Sequence, residues 1–212
     1  MQHLLSKIVR IVWLGAAILI ASCELALSEQ LTGTAAEACL AVNRDLSLGA
    51  RLPRTSARLK SSDRLSIVAV GSSSTVGLWV LRSGATYPEG MRQELVRLRS
   101  NTAIEVVNSG RIGDTIEGSV ARFQRDVLSH KPDLVVWQLG TNDVAWGGHP
   151  DDQLKNKVPQ GVQMLKASGA DVILMDLQYA PKVLASPYYS KMEDIIFEVA
   201  RQEKIGFFPG LR

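Results

Sequence analysis

Residues 65–77, with the sequence LSIVAVGSSSTVG, decide the fold of this chain. The first part, LSIVAV, is a short uncharged run rich in apolar and β-branched residues, which is typical of a strand buried on both faces of a parallel sheet. Gly71 ends this run, and the small residues from there to Gly77 allow the chain to turn sharply. We therefore predict a buried strand that ends in a tight, hydroxyl-rich loop.

The strand pattern returns along the chain and alternates with helical patterns. Further strands are predicted at 103–107, 133–137, 171–175 and 205–208. Amphipathic helices are predicted after Pro88, after Asp114 as N-cap, across 152–168 and after Pro187. Their apolar stripes include Met91, Leu95 and Leu98 on the first helix and Ile116, Val120, Phe123 and Val127 on the second. Such alternation indicates right-handed crossovers and an α/β fold, with a five-stranded parallel sheet covered by helices on both faces.

Composition excludes several classes of protein. The chain has 212 residues, a length that suits one domain, and 46% of them are apolar while 21% are charged. The formal charge of +3 includes Lys7 and Arg10 of an apparent leader, so there is no basic surplus of the kind that nucleic-acid binding needs. Two cysteines and three histidines are too few for a disulfide-dense scaffold or a His-rich metal centre. We expect no metal or organic cofactor.

The N-terminus resembles an export signal. Residues 1–28 begin with a basic stretch without acidic residues and continue with an uncharged apolar run at 11–21, the pattern of a secretory signal peptide. Small residues before Glu29 predict cleavage there, whereas the sequence IASC at 20–23 resembles a bacterial lipobox with Cys23 as the lipidated first residue. An uncleaved signal anchor is the third reading. We expect an exported protein, periplasmic or secreted, with a lipid anchor if Cys23 is used.

The segment between this leader and the first strand has no clear period. Residues 29–62 are predicted to be a linker or an irregular N-terminal segment, apart from a possible short helix at 35–42. Pro53 lies within this irregular part. The folded domain is predicted to span 63–212.

Three loops, each behind one of the first three strands, carry the candidate chemistry. They read GSSSTVG at 71–77, NSGRIGDT at 108–115 and GTND at 140–143. Because the carboxyl ends of parallel strands meet at one edge of a sheet, where ligands bind, these loops are expected to lie together. Taken singly, the first is a common serine-rich turn, the second an ordinary strand-to-helix turn and the third a turn former. Their combination is far more specific.

In order and in placement behind the strands, the three blocks resemble those of the SGNH (GDSL-type) hydrolase family over roughly residues 64–209. The resemblance implies a flavodoxin-like three-layer sandwich and a serine ester hydrolase. It implies that Ser73 is the nucleophile that attacks an acyl carbonyl. It also implies an oxyanion hole made of the backbone N–H groups of Ser73 and Gly113 and the side-chain amide of Asn142, because a tetrahedral intermediate needs fixed donors.

The serine assignment has two rivals, Ser72 and Ser74. The register of the first block, with Thr75 and Gly77 at their usual places, favours Ser73. In the family an aspartate usually precedes the nucleophile, and this chain has Ser72 there. That change alters local hydrogen bonding but removes no member of the catalytic set.

A second departure concerns the general base. The family's base is a histidine in an Asp-x-x-His block after the last strand, and residues 207–212 contain no such block. His130 is expected at the entry end of a strand, away from the loops, and Asp176 without an imidazole is a poor base for serine. His149 follows the third block and is the only other stand-in. We therefore predict a domain that is incomplete at its C-terminus, without the last helix and with little activity.

The expected substrate is a small-molecule or carbohydrate acyl ester. The loops after the third and fourth strands contain aromatic residues that could stack on a sugar ring or simply pack, which are Trp146, Tyr179, Tyr188 and Tyr189. The alternative function is a non-catalytic exported protein that keeps the fold and binds a glycan or an ester. The sequence indicates no nucleic-acid partner, and any membrane contact is expected only through the leader or Cys23.

Overall fold

The computed structural model describes four stretches of the chain, which are residues 48–61, 64–78, 86–146 and 152–209. The predicted signal peptide, the lipobox at Cys23, the possible helix at 35–42 and His149 lie outside these stretches. Leu48–Arg212 forms one compact unit. None of the described helices is both long and apolar enough to cross a membrane.

A five-stranded sheet with all strands parallel forms the centre of the fold, as predicted. The strand order is β2-β1-β3-β4-β5. This is the flavodoxin-like order, in which the chain changes direction between β1 and β3 and leaves a crevice at their carboxyl ends. The strands are β1 (Leu65–Gly71), β2 (Ile104–Gly110), β3 (Leu134–Gln138), β4 (Asp171–Met175) and β5 (Gly206–Phe208).

Helices follow or precede each strand. Those of the described residues are α1 (Pro53–Ser61), α2 (Ser73–Val76), α3 (Tyr87–Leu98), α4 (Ile116–Asp126), α5 (Thr141–Ala145), α6 (Asp152–Ala167), α7 (Pro181–Leu184) and α8 (Tyr189–Glu203), with a 3-10 turn at Leu128–His130. The four long helices α3, α4, α6 and α8 confirm the predicted ones. The short helices α2, α5 and α7 were not predicted.

Two apolar clusters cover the two faces of the sheet, because alternate residues of each strand point to opposite sides. The larger cluster includes the stripe of α4, from Ile116 to Phe123, and residues of α6 and α8. Met91 and Leu95 of α3 pack against the smaller one, together with Leu59 of α1. Leu98 was predicted to share this buried face but is 54% exposed. The layers are therefore helix, sheet and helix, which confirms the predicted sandwich.

Helix α1 corrects the prediction of an irregular segment up to residue 62. Its N-terminus is capped by Asp171, which lies 116 residues further along the chain: the carboxylate accepts the backbone N–H of Thr55 at 2.7 Å and that of Arg54 at 3.4 Å. Because the capping residue belongs to β4, it leaves no signal in the sequence near the helix. The helix was missed for that reason.

The amino-terminal edge of the sheet contains a second carboxylate, the buried Asp133 beside β3. It accepts hydrogen bonds from the Nε of Arg54 at 2.7 Å, the Nε of Arg58 at 3.0 Å and the backbone N–H of Ser66 at 3.1 Å. Burial alone raises the pKa of Asp133, but these hydrogen bonds outweigh it, and the net pKa lies below its ordinary value. This cluster ties α1 to the sheet.

Candidate active site

Strands β1 and β2 end in register, which brings the first two loops together. Gly71 is paired with Gly110, and the side-chain amide of Asn108 donates to the carbonyl of Thr75 at 2.7 Å. A Cβ on Gly110 would come within 2.5 Å of the backbone nitrogen of Val76, so only glycine allows this close approach. The close packing fixes the first loop, residues 71–77 and hereafter the serine loop, against the end of β2.

Of the three consecutive serines, Ser73 is the first residue of α2 and is half-buried. The side chains of the other two turn to Gln138, the last residue of β3. The hydroxyl of Ser74 donates to its Oε1 at 3.1 Å, and the hydroxyl of Ser72, which is 4% exposed, lies 3.4 Å from the same atom. Within the described residues, the hydroxyl of Ser73 makes no hydrogen bond. It is therefore the serine hydroxyl that protein contacts leave available.

The second and third loops are joined by Asn142. Its Nδ2 donates to the backbone carbonyl of Asp114 at 2.8 Å, and its Oδ1 accepts the indole N–H of Trp146 at 3.2 Å. Gly113, next to Asp114, is exposed and has a φ of +75°, in the left-handed region that glycine tolerates best. One amide hydrogen of Asn142 is used by Asp114, so the second remains for another acceptor. All three predicted site residues thus lie at the carboxyl-terminal edge of the sheet, Ser73 and Asn142 in the short helices α2 and α5 and Gly113 in the turn before α4.

Asp114 corrects a second prediction. The N-cap of α4 is Thr115, whose hydroxyl accepts the backbone N–H of Gly118 at 3.1 Å. The carboxylate of Asp114 is buried and instead accepts hydrogen bonds from Arg122 at 2.6 and 2.9 Å and from the hydroxyl of Ser119 at 2.8 Å. Such a buried ion pair is tolerable because each charged group has several partners.

Asp143 is the second buried carboxylate of this edge. Both of its oxygens accept the backbone N–H of Ile116, at 3.2 and 3.3 Å. Burial raises the pKa of Asp143 to about 6; the hydrogen bond from Ile116 opposes the shift, and the negative charge of Asp114 adds to it. The carboxylate therefore holds the first turn of α4 and changes its charge near neutral pH.

A cavity of about 420 Å³ opens beside the serine loop. It lies between α3 and the carboxyl ends of β3, β4 and β5, and its walls include Ser74, Tyr87, Met175, Tyr179 and Phe208. Burial raises the pKa of Tyr87 to about 12, so its phenol is neutral at physiological pH. An uncharged, mostly apolar part of a ligand suits such a cavity.

Within the described residues, none of the candidate bases makes a hydrogen bond to the hydroxyl of Ser73. His130 is exposed and ends the 3-10 turn before β3, at the amino-terminal edge, as the sequence predicted. Asp176 follows β4, is 2% exposed and lines the cavity. His149 falls outside the described stretches. In those stretches, no group of three or more His, Cys, Asp or Glu side chains is placed to hold a metal ion.

Two polar residues of this edge were missed by sequence reasoning. Gln138 links three loops: its Oε1 faces the serines, its Nε2 donates to the hydroxyl of Thr141 at 2.9 Å, and that hydroxyl accepts the backbone N–H of Gln178 at 3.0 Å. The only signal was a polar residue at the end of an otherwise apolar strand. Arg122 lies beside the apolar stripe of α4, and a charged residue at a buried helical position was the signal there.

Comparison with protein families gives one match that covers most of the chain: the model of the non-GDSL lipase-like family matches residues 38–210. Among curated proteins, the chain is 36% identical to esterase TesA of Pseudomonas aeruginosa over 104 residues, which are 49% of this chain and 51% of that protein. It is 28% identical to an arylesterase of Vibrio mimicus over 106 residues, 50% of this chain and 52% of the arylesterase. The chain thus spans about half the length of these curated relatives.

Solved structures show the same fold. The crystal structure of TesA has a TM-score of 0.59 and 30% sequence identity, and the match covers 67% of this chain and 76% of that one. AlinE4, described as an SGNH-hydrolase family esterase, has a TM-score of 0.58 and 25% identity, with 68% and 75% covered. The resemblance to SGNH hydrolases predicted from the three sequence blocks is therefore confirmed.

Proposed function

Since the chain belongs to the non-GDSL lipase-like family, we propose that it is a serine ester hydrolase of the SGNH type. The hydroxyl oxygen of Ser73 attacks the acyl carbonyl carbon, its proton passes to a base, and the alcohol leaves. Water then hydrolyses the acyl-enzyme. The observation that carries the proposal is the difference among the serines: Gln138 engages Ser72 and Ser74 and leaves Ser73 available.

The proposed oxyanion hole consists of the backbone N–H groups of Ser73 and Gly113 and the second amide hydrogen of Asn142. Two contacts support this arrangement. The bond from Asn142 to the carbonyl of Asp114 keeps the amide beside the Gly113 turn, and the indole of Trp146 fixes which end of the amide carries the hydrogens. Donors held in place before the reaction stabilise the developing negative oxygen most strongly.

The proposed substrate is a small-molecule or carbohydrate acyl ester. The cavity beside Ser74 suits an apolar part of the ester, since its walls are mostly apolar. Two exposed aromatic side chains flank the loops: Trp146 is 73% and Tyr179 is 56% exposed. The ring of Tyr179, and the face of Trp146 that the ammonium of Lys182 leaves open, suit a sugar ring or another flat group on the alcohol side.

The base that accepts the proton of Ser73 decides how fast the reaction is. Among the described residues no imidazole lies beside Ser73, because His130 is at the opposite edge of the sheet. General-base assistance contributes about 10²–10⁴ in rate. Without it, residual hydrolysis depends on the oxyanion donors and on binding. The same observation favours a second candidate function, a protein that binds the ester or glycan without turnover.

Hydrolysis of p-nitrophenyl acetate by the purified protein tests the proposal. We expect slow turnover that is abolished in Ser73→Ala and largely kept in the matched controls Ser72→Ala and Ser74→Ala. Equal rates for the wild type and Ser73→Ala would contradict the nucleophile. Saturable binding of an acetylated oligosaccharide by a protein with no Ser73-dependent turnover would favour the binding function.

We also propose that the protein is exported. The support is the basic start and apolar run of residues 1–28 and the lipobox-like sequence ending at Cys23. Mass spectrometry of the N-terminus, after expression in a bacterium, distinguishes a lipidated Cys23 from a mature start near Glu29. Lipidation must be lost in Cys23→Ala. A cytoplasmic chain that retains residues 1–28 would contradict export.

A further inference from the structure

The side chain of Arg122 is almost fully buried, with 5% of it exposed. Its guanidinium donates to the carboxylate of Asp114 at 2.6 and 2.9 Å, to the hydroxyl of Ser109 at 3.0 Å and to the carbonyl of Gly71 at 3.5 Å. A further contact at 3.4 Å joins it to Asp126 of its own helix. One side chain therefore contacts the carboxyl ends of β1 and β2 and the turn that leads into α4.

Two of these contacts, to Gly71 and Asp114, lie close in sequence to residues of the proposed oxyanion hole. Gly71 is the first residue of the serine loop, and Asp114 directly follows Gly113. The backbone carbonyl of Asp114 also accepts the amide of Asn142. The carboxylate of Asp114 thus faces Arg122 while its carbonyl faces Asn142, which connects the guanidinium to all three loops.

The planar guanidinium specifies geometry more strictly than an ammonium or an apolar side chain. It presents donors in fixed directions, and burying it is costly unless those donors are satisfied. In this site the acceptors belong to three different segments. The donors of Arg122 are therefore all hydrogen-bonded only if these segments keep their relative positions. An apolar side chain of similar length would fill the space without that requirement.

We propose that Arg122 is a positioning residue that holds the Gly113–Asp114 turn against the ends of β1 and β2. Its effect on hydrolysis rests on the proposed function, because it acts through the oxyanion donors. Its effect on the turn does not depend on catalysis. The two effects are measured separately.

Hydrogen exchange tests the effect on the turn. The reporters are the amides of Arg111, which donates to Gly71 at 2.9 Å, and Asp114, which donates to Arg111 at 3.1 Å. In Arg122→Met we expect both to exchange about 10- to 100-fold faster, as for the loss of a charged hydrogen bond, while the amide of Ser66 at the opposite edge is unchanged. In the control Arg54→Met, only the amide of Ser66 should exchange faster. Equal acceleration at both edges in Arg122→Met would overturn the proposal.

Kinetics tests the effect on the reaction. Arg122→Met is expected to lower kcat for p-nitrophenyl acetate about 10- to 100-fold with little change in KM, whereas Arg54→Met leaves both unchanged. Arg122→Lys keeps the positive charge but not the planar set of donors, so its kcat should lie between those of the wild type and Arg122→Met. It replaces Arg122→Met in the experiment if that variant does not fold. A normal turn and a normal kcat in Arg122→Lys and Arg122→Met would overturn the proposal. If Ser73→Ala retains the wild-type rate, the proposed function fails, while the exchange result still decides the role of Arg122.

Discussion

At the amino-terminal edge of the sheet, Asp133 is held by two arginines of α1 and a backbone N–H, and its pKa lies below the ordinary value. At the carboxyl-terminal edge, Asp143 is similarly buried, but the hydrogen bond that it accepts from another described segment comes from the backbone N–H of Ile116. Burial raises the pKa of Asp143 to about 6. The first carboxylate is stabilised as an anion and fastens a helix to the sheet. The second is only partly compensated, and it lies beside Asn142 in the candidate site.

This difference shows how the fold separates stability from function. Arg54 and Arg58 compensate Asp133 at the edge that holds α1 to the sheet, whereas the ion pairs of the described residues bring no cation to Asp143. Residues with perturbed pKa values and incomplete partners tend to collect at functional sites, where local stability is given up for a particular geometry. Substitutions at the two edges should therefore have opposite consequences for stability and for rate.

A large effect on stability is expected at the amino-terminal edge. Asp133→Ala leaves the N–H of Ser66 buried without its acceptor and removes the partner of Arg54 and Arg58, so we expect the free energy of unfolding to fall by about 3 kcal/mol. Denaturant unfolding measures it. Hydrolysis per folded molecule should be unchanged, and a matching loss of rate would contradict the separation of the two edges.

The largest effect on rate is expected from Asn142→Ala, which removes one proposed oxyanion donor. Loss of such a donor typically lowers kcat about 10²–10³-fold. The free energy of unfolding should change little by comparison, because Asn142 is only partly buried. Steady-state kinetics with p-nitrophenyl acetate and thermal unfolding of the same sample measure both. An unchanged kcat would exclude Asn142 from the oxyanion hole.

The pH dependence of stability should differ in sign between the edges. The pKa of Asp143 is raised from 3.8 to about 6, so the stability due to its neutral form is complete below pH 4 and is lost as the pH rises through 6. Asp143→Asn keeps an acceptor for Ile116 and cannot ionise. Relative to the wild type, its free energy of unfolding should rise by up to about 3 kcal/mol between pH 4 and 8.

Asp133→Asn is the matched control for that experiment. Because the pKa of Asp133 is lowered, the wild type gains stability above the ordinary pKa and loses it as the pH falls through the lower, folded value. As the pH falls below 4, where the ordinary and the lowered pKa of Asp133 lie, the difference between variant and wild type must therefore change with pH in the opposite direction. Equal slopes for the two variants would contradict the contrast between the edges.

The smallest effect is expected at the start of α4. Thr115→Ala removes the hydroxyl that accepts the N–H of Gly118, and loss of an N-cap costs about 1 kcal/mol of unfolding free energy. Asp114→Ala should cost more, because Asp114 pairs with the buried Arg122 rather than capping the helix. Chemical denaturation of both variants checks the order. A smaller loss for Asp114→Ala than for Thr115→Ala would contradict a stabilising role of the buried pair between Asp114 and Arg122.

The sequence predicted the sheet, the long helices and the edge at which the candidate site lies, because apolar periodicity and strand-to-loop order are local properties. It missed α1, whose cap comes from Asp171, and the bonds of Gln138 to serines 64 to 66 residues away. It also chose Asp114 over Thr115 as the cap, since both residue types suit that position. Partners that meet only in the folded chain decide these points, and single-sequence patterns do not contain them.

Covalent labelling of the intact protein tests the central claim most directly. An alkyl fluorophosphonate reacts with an activated serine, and mass spectrometry of the intact chain and of its peptides locates the adduct. The assignment of Ser73 predicts a single adduct on that residue, retained in Ser72→Ala and absent in Ser73→Ala. An adduct on Ser72 or Ser74, or one that persists in Ser73→Ala, would contradict it.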